Sequence, residues 1–227
     1  MRTLRSDLLI NPQELFDLTI STKGTDLGGL ATTGDGRYFR YTQAGAVALV
    51  PGTLQQAPAE VTGNQNLTAV AAAVGATTLV STSTVTVTAN QYSGGWAMIT
   101  VTPGQGYQYQ IASHAAYTSA APTFTLADPI QVTALTTGSR IDLVANPYGS
   151  IVINPTTATS TPVGVAIAAL PISYYGWLQV GGVANVLADG TVTVGTALVA
   201  SNGTAGAVEA LTGVQAIVGT AVTGIAT

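Results

Sequence analysis

GWLQVGGVANVLADGTVTVGTALVAS (Gly176–Ser201) runs for 26 residues with one charged side chain, Asp189. Val, Leu and Ala alternate with Gly, Thr, Asn and Ser, a spacing near two residues that marks strands with one face buried. Asp189-Gly190 interrupts the pattern with the dipeptide favoured in two-residue hairpin turns, so strands are expected on either side. The same texture covers most of the chain. Only 16 of 227 residues are charged, whereas 47% are hydrophobic. Disorder requires low hydrophobicity together with high net charge, and this chain has neither. An all-β protein whose outer faces are covered by Thr, Ser, Gln and Asn is expected.

Working outward, alternation recurs in TTLVSTSTVTVTA (Thr77–Ala89), where Val85 and Val87 are set against Thr84, Thr86 and Thr88. WAMITVT and GYQYQIAS flank Pro103-Gly104 and read as a hairpin. TFTLADP, RIDLVANP and GSIVINP each end in a proline, which cannot continue a central strand. RYFRYT and YYGWLQV are aromatic-rich strands. TAVAAAVGA reads as helix or strand, with Gly75 interrupting it. NPQELFDL carries a helix start, with Asn11 as N-cap, Pro12 at the first helical position and Glu14 at the third. A helix this short needs a surface to dock on.

Charge divides the chain. Eleven of the 16 charged residues lie in the first 60 positions. Residues 1–36 read as an N-terminal arm, 37–155 as a β-domain, and 156–227 as a C-terminal β-unit reached through the linker TTATSTP. The expected fold is therefore an arm followed by small β-barrel or β-sandwich units. Residues 65–155 leave room for a separate inserted β-domain.

Chemistry-bearing residues are sparse. The net charge of −4 and six scattered basic residues give no patch to neutralise phosphates, so nucleic acid is not an expected partner. The absence of cysteine removes disulfides and thiolate chemistry. No signal peptide and no apolar run long enough for a membrane helix is read, so no membrane is expected either. His114 is the single histidine and has no nucleophile-elbow serine to serve. The acids are too scattered for a metal site, and Asp35 and Asp189 read as turn residues. Asp128 and Asp142 are the nearest approach to a carboxylate pair. No catalytic, cofactor or metal residue is assigned, and no cofactor is expected. Tyr174, Tyr175 and Trp177 form either a core cluster or an anchor at a subunit interface, where such residues are enriched.

PVGVAIAALPISYYGWLQVGGVANVLADGTVTVGTALVAS together with AIVGTAV resembles the capsid decoration (cement) proteins of tailed phages, as does DGRYFRYTQAGAVALVPGTLQQAPA. The shared elements are a Val-Gly-Val/Ile-Ala strand, a strand of Tyr-Gly-Trp, a hydrophobic residue and Gln, an Asp-Gly turn, and a returning Val-Gly-x-Ala strand. The resemblance implies small β-barrel or β-tulip-like units and a non-enzymatic virion protein made in the host cytoplasm. Such a protein sits on the outer surface of the phage head, bound to the major capsid protein, often as a homotrimer, and stabilises the expanded shell by bridging its subunits. The arm would then make the capsid contact through Arg2, Arg5, Leu8, Leu9, Ile10 and Phe16, and its removal up to residue 20 should leave the β-domains folded. The alternative is a phage fibre or tail-associated adhesin that binds a host surface glycan, with Tyr107, Tyr109 and His114 lining the groove.

Overall fold

The computed structural model describes residues 8–17 and 20–225. It is nearly all β, with 38% strand and 4% helix. Two compact units divide the chain: a discontinuous host unit, 1–59 with 147–227, and an inserted unit, 60–146. These bounds differ from those expected at 36/37 and 155/156. Hydrogen bonding between distant segments sets them, and composition does not register such pairing.

The host unit begins with β1 (Leu8–Leu9), α1 (Pro12–Asp17), β2 (Leu30–Thr32), β3 (Tyr38–Gln43) and β4 (Leu54–Gln56). After the insertion come β13 (Val152–Ile153), β14 (Pro162–Ala166), β15 (Tyr175–Gly181), β16 (Ala197–Ala200), β17 (Val208–Ala210) and β18 (Ile217–Thr220). Seven strands form one sheet in the order β1-β2-β3-β15-β14-β4-β13. β15 lies within it, antiparallel to β3 and β14. Gly176, Trp177, Leu178 and Gln179 are all buried. Four consecutive buried residues require cover on both faces of a strand, because successive side chains point to opposite sides. Ile10, Leu15, Phe39 and Tyr41 pack with Trp177, while Leu49, Ile151, Ala166 and Leu170 pack with Leu178. Gly164 permits the close approach of β14: its φ is +150°, and a Cβ there would lie 2.4 Å from the Gln179 carbonyl oxygen.

The helix start is found as read. The Asn11 side-chain oxygen accepts the Gln13 N–H at 3.0 Å, and α1 follows from Pro12. The described part of the expected arm is nonetheless a component of the host sheet. β1 pairs in parallel with β2, and β2 pairs with β3. TTATSTP is likewise no interdomain linker: it joins β13 to β14, which both pair with β4. The Asp189-Gly190 turn carries no hairpin. Ala188 bridges Val208 in parallel and Val192 bridges Ile225, so the flanking residues pair with distant segments. β16 is the middle strand of a separate three-stranded sheet, β17-β16-β18.

The inserted unit contains β5 (Leu67–Thr68), β6 (Thr78–Val80), β7 (Thr86–Val87), β8 (Trp96–Val101), β9 (Gln108–His114), β10 (Tyr117–Thr118), β11 (Thr123–Leu126) and β12 (Arg140–Val144). Its main sheet has the order β5-β12-β8-β9-β11-β6, and β7 pairs with β10. The expected hairpin around Pro103-Gly104 is the antiparallel pair β8–β9. The sheet curls until its edges meet. Ala69 bridges Ser81, Val70 donates to the Val80 carbonyl at 2.8 Å, and Thr82 donates to that of Thr68 at 3.0 Å. TAVAAAVGA supplies part of that seam as extended backbone, so the strand reading wins over the helix. Leu79, Ile111, Phe124, Ile130 and Ile141 are fully buried within the curl.

Gln56 of β4 faces both Val152 and Pro162 across the sheet, so the host strands are paired on either side of the point where the insertion leaves. Replacing residues 60–146 by a short Gly/Ser linker should leave the host folded. The sole remaining tryptophan, Trp177, should then show the blue-shifted fluorescence of a buried indole and one cooperative unfolding transition. A red-shifted, non-cooperative product would show that the insertion is needed to fold the host.

Candidate functional site

The residues proposed for the arm separate into distinct environments. Arg2 and Arg5 lie outside the described residues. Leu8 joins the β1–β2 pairing through its backbone, opposite Ala31. Ile10 is only 4% exposed and packs with Leu15, Phe39 and Trp177. Ile10 therefore belongs to the chain's own core and has no surface to offer a capsid. The expectation that truncation to residue 20 spares the fold is corrected for the same reason, since it would remove Ile10 and Leu15 together. Leu9 and Phe16 do face outward, at 73% and 47% exposure. They give the β1–α1 corner an apolar surface.

The aromatic cluster is resolved similarly. Trp177 is buried and meets the Tyr41 ring edge-on at 5.2 Å between centroids. Tyr175 stacks on Tyr41 at 6.1 Å with 8° between planes. The Tyr41 hydroxyl accepts the Gly24 N–H at 3.0 Å, tying the connector after α1 to this cluster. Trp177 is thus a core residue and not an interface anchor, while Tyr174 and Tyr175 are half-buried at its margin. The Trp177 indole N–H has no acceptor among the described residues. It contributes through ring packing, whereas a paired N–H would have added a hydrogen bond.

His114 lies in the core of the inserted unit. Its Nε2 accepts the Tyr92 backbone N–H at 3.0 Å, and Nδ1 lies 2.8 Å from the Ala115 carbonyl oxygen. A carbonyl can only accept, so Nδ1 carries the proton and the ring is held as one neutral tautomer. Phe124, Tyr117 and Tyr92 surround it with centroids 5.3, 6.0 and 5.9 Å away. The neighbouring Asn64 donates to the Tyr92 hydroxyl at 2.8 Å and accepts from Ser83 at 3.1 Å and from Tyr117 at 3.4 Å. Every member of this network serves another member, and none is presented to solvent. Tyr109 is also buried, leaving Tyr107 alone exposed of the three residues suggested for a glycan groove. These three residues therefore do not line one open groove.

The carboxylates hold turns and loops. Asp142 accepts the Asn66 backbone N–H at 2.7 Å, while Asp128 is exposed. Asp35 pairs with Arg37 at 2.8 Å, and the Thr33 hydroxyl is the largest influence holding its carboxyl below the usual range. Asp189 accepts from Ser201 at 2.6 Å, and Ser201 in turn accepts from the Gly203 and Thr204 N–H groups at 3.0 Å each. No group of three or more His, Cys, Asp or Glu able to hold a metal occurs among the described residues. No described helix is long and apolar enough to cross a membrane. No family model, curated protein or solved structure matches the chain.

What the sequence reading did not name is a set of exposed aliphatic side chains. Val183, Val194, Val214, Ile217 and Val222 are all more than 60% exposed, and Asp189 and Glu209 are the only charges between 156 and 227. The low charge of that segment was the available signal, but alternation alone does not say which aliphatic side chains remain uncovered.

Truncating Trp177 to Ala should cost about 3–5 kcal/mol in denaturant unfolding. Trp177→Phe should cost clearly less, since it keeps an aromatic ring and removes an unpaired buried donor. Equal losses for the two would contradict the packing account. In the inserted unit, burial pushes the Tyr117 phenol from its ordinary 10.0 up to about 12, with the Tyr92 phenol adding to the rise. Because the folded value lies above the unfolded one, the stabilisation is full below pH 10 and is lost as pH climbs towards 12. Unfolding followed across that window should show a falling midpoint, and Tyr117→Phe should flatten the fall.

Proposed function

We propose that this protein is a structural component of a phage head. It binds the outside of the expanded shell and stabilises it by bridging neighbouring major capsid subunits, without catalysis. The observation that carries this reading is the nearly uncharged exterior of residues 156–227, studded with exposed Val183, Leu187 and Val194. Exposed aliphatic side chains with so few charges among them suit burial against a protein neighbour. Burying neutral Thr, Ala and Val against a neighbour avoids the desolvation cost of burying charge. Modest contacts repeated over many copies on one shell would add up through avidity. The Leu9–Phe16 corner supplies a second apolar contact, next to the most highly charged part of the chain. The resemblance of PVGVAIAAL and YYGWLQV to strands of decoration proteins supports the same reading.

Co-sedimentation of the purified protein with decoration-free heads tests it. Saturable binding to expanded heads, and none to unexpanded ones, is expected. Changing Leu9 and Phe16 together to Glu should weaken that binding while leaving the unfolding midpoint in place, since both side chains are exposed. Failure to bind either kind of head would overturn the proposal.

A further inference from the structure

The outer face of the inserted unit is chemically divided. Along β8, β9 and β12 burial alternates, and Ala97, Ile99, Tyr109, Ile111, Ile141 and Leu143 point inward. Trp96, Met98, Gln108, Gln110, Arg140 and Asp142 therefore share the outward side, because successive side chains on a strand point to opposite faces. Register sets them in two adjacent rows, Val144–Trp96–Gln110 and Asp142–Met98–Gln108. Farther round the same sheet the outward positions hold small side chains. Thr125 of β11 lies opposite Ser113 on one side and Thr78 on the other, and all three are exposed.

Polar groups in the two rows are open to a ligand. The Trp96 indole N–H makes no hydrogen bond among the described residues and, unlike that of Trp177, is not buried. Gln108 is exposed, and its amide is equally without a partner among them. Asp142 Oδ1 accepts the Asn66 N–H at 2.7 Å, with the Thr100 hydroxyl 3.5 Å away. These contacts fix the carboxylate and leave its Oδ2 without a partner among the described residues. Arg140 is held in turn, its Nη1 donating to the Thr137 and Ser139 carbonyls at 3.0 and 3.1 Å. Two of the four charged residues between 60 and 146 thus lie on this face, and their charges cancel.

We infer that this face binds a neutral glycan, with a pyranose ring stacked on Trp96 and its hydroxyls bonded to Gln108 and Asp142. An indole offers apolar area and a hydrogen-bond donor together. A sugar with equatorial substituents matches that combination. Its axial C–H groups form an apolar face, and its rim carries hydroxyls that both donate and accept. An apolar protein segment would instead cover Gln108 and Asp142 and leave their polar atoms unpaired, which is costly. A charged ligand meets Arg140 and Asp142 together, with no excess of either sign to hold it. Small-ligand sites place a few polar groups around apolar surface in this way. The site shares no residue with the set Tyr107, Tyr109 and His114, and binding there does not depend on attachment to heads.

Calorimetry of the full chain with cellohexaose, laminarihexaose and chitohexaose, all built from β-linked rings with equatorial substituents, tests the site. Saturable binding of at least one is expected, with a change in the emission of Trp96 while that of buried Trp177 stays constant. Trp96→Ala and, separately, Gln108→Ala should each weaken association by about tenfold. Trp96→Tyr keeps a ring and should retain part of the affinity. Ser113→Ala, on the other half of the sheet, should bind as the wild type does. Gln108 and Ser113 are both exposed, so their variants should keep the wild-type unfolding midpoint, and Gln108→Ala decides the matter if Trp96→Ala fails to fold. Binding of none of the three sugars, or of sialyllactose alone, would overturn the inference. So would undiminished binding by the folded Trp96 and Gln108 variants. Because no heads are present, this result stands whether or not the protein binds them.

Discussion

The host unit depends on cover for both faces of β15. Trp177 and Leu178 are neighbours in the chain, yet each is buried among a different set of side chains. That condition draws in the first strand, the short helix and the connector after it, because Ile10, Leu15 and the Gly24–Tyr41 contact all serve the Trp177 side. It also draws in Leu49 and Leu170, whose backbones pair with each other. A chain with so few charges has little ionic pairing to organise it. The described ion pairs, Lys23–Asp26 and Arg37–Asp35, are local and largely solvated, a kind that contributes little to stability. Burial and backbone pairing therefore carry the fold.

The inserted unit meets the same scarcity of charge differently. It curls its sheet to join the edges and places a polar network in its interior. His114, Asn64, Tyr92, Tyr117 and Ser83 form a satisfied set in which the single imidazole acts as a fixed acceptor and donor. Such a network specifies one packing arrangement, because a partly satisfied version would leave buried polar groups unpaired. A lone histidine beside several tyrosines looks like chemistry in a sequence. Here its ring nitrogens are taken up by the backbone.

Several features were legible before any coordinates. The α1 start followed from Asn11-Pro12 because capping is a local interaction within one turn. The β8–β9 hairpin followed from Pro103-Gly104 because a turn and its flanking strands are contiguous. Most other strand segments were placed by alternation and their closing prolines. The features misread were those that rest on distant partners. The Asp189-Gly190 dipeptide has the right turn chemistry, but Val208 and Ile225 compete successfully for its flanks. Ile10 and Phe16 are both apolar residues of the same short segment, and only packing separates the core side chain from the exposed one.

The sequence by itself determined that the chain is β, low in charge in its last third and poor in catalytic groups, because composition, period and local turn chemistry are properties of short windows. The tertiary structure alone decided that the described part of the N-terminal segment joins the host sheet, that residues 60–146 form an insertion between paired strands, and that β16 is the middle strand of a separate three-stranded sheet. Each of these is a statement about which backbone groups pair across long separations. No window of residues contains that information, because the pairing is chosen by the burial of both partners at once.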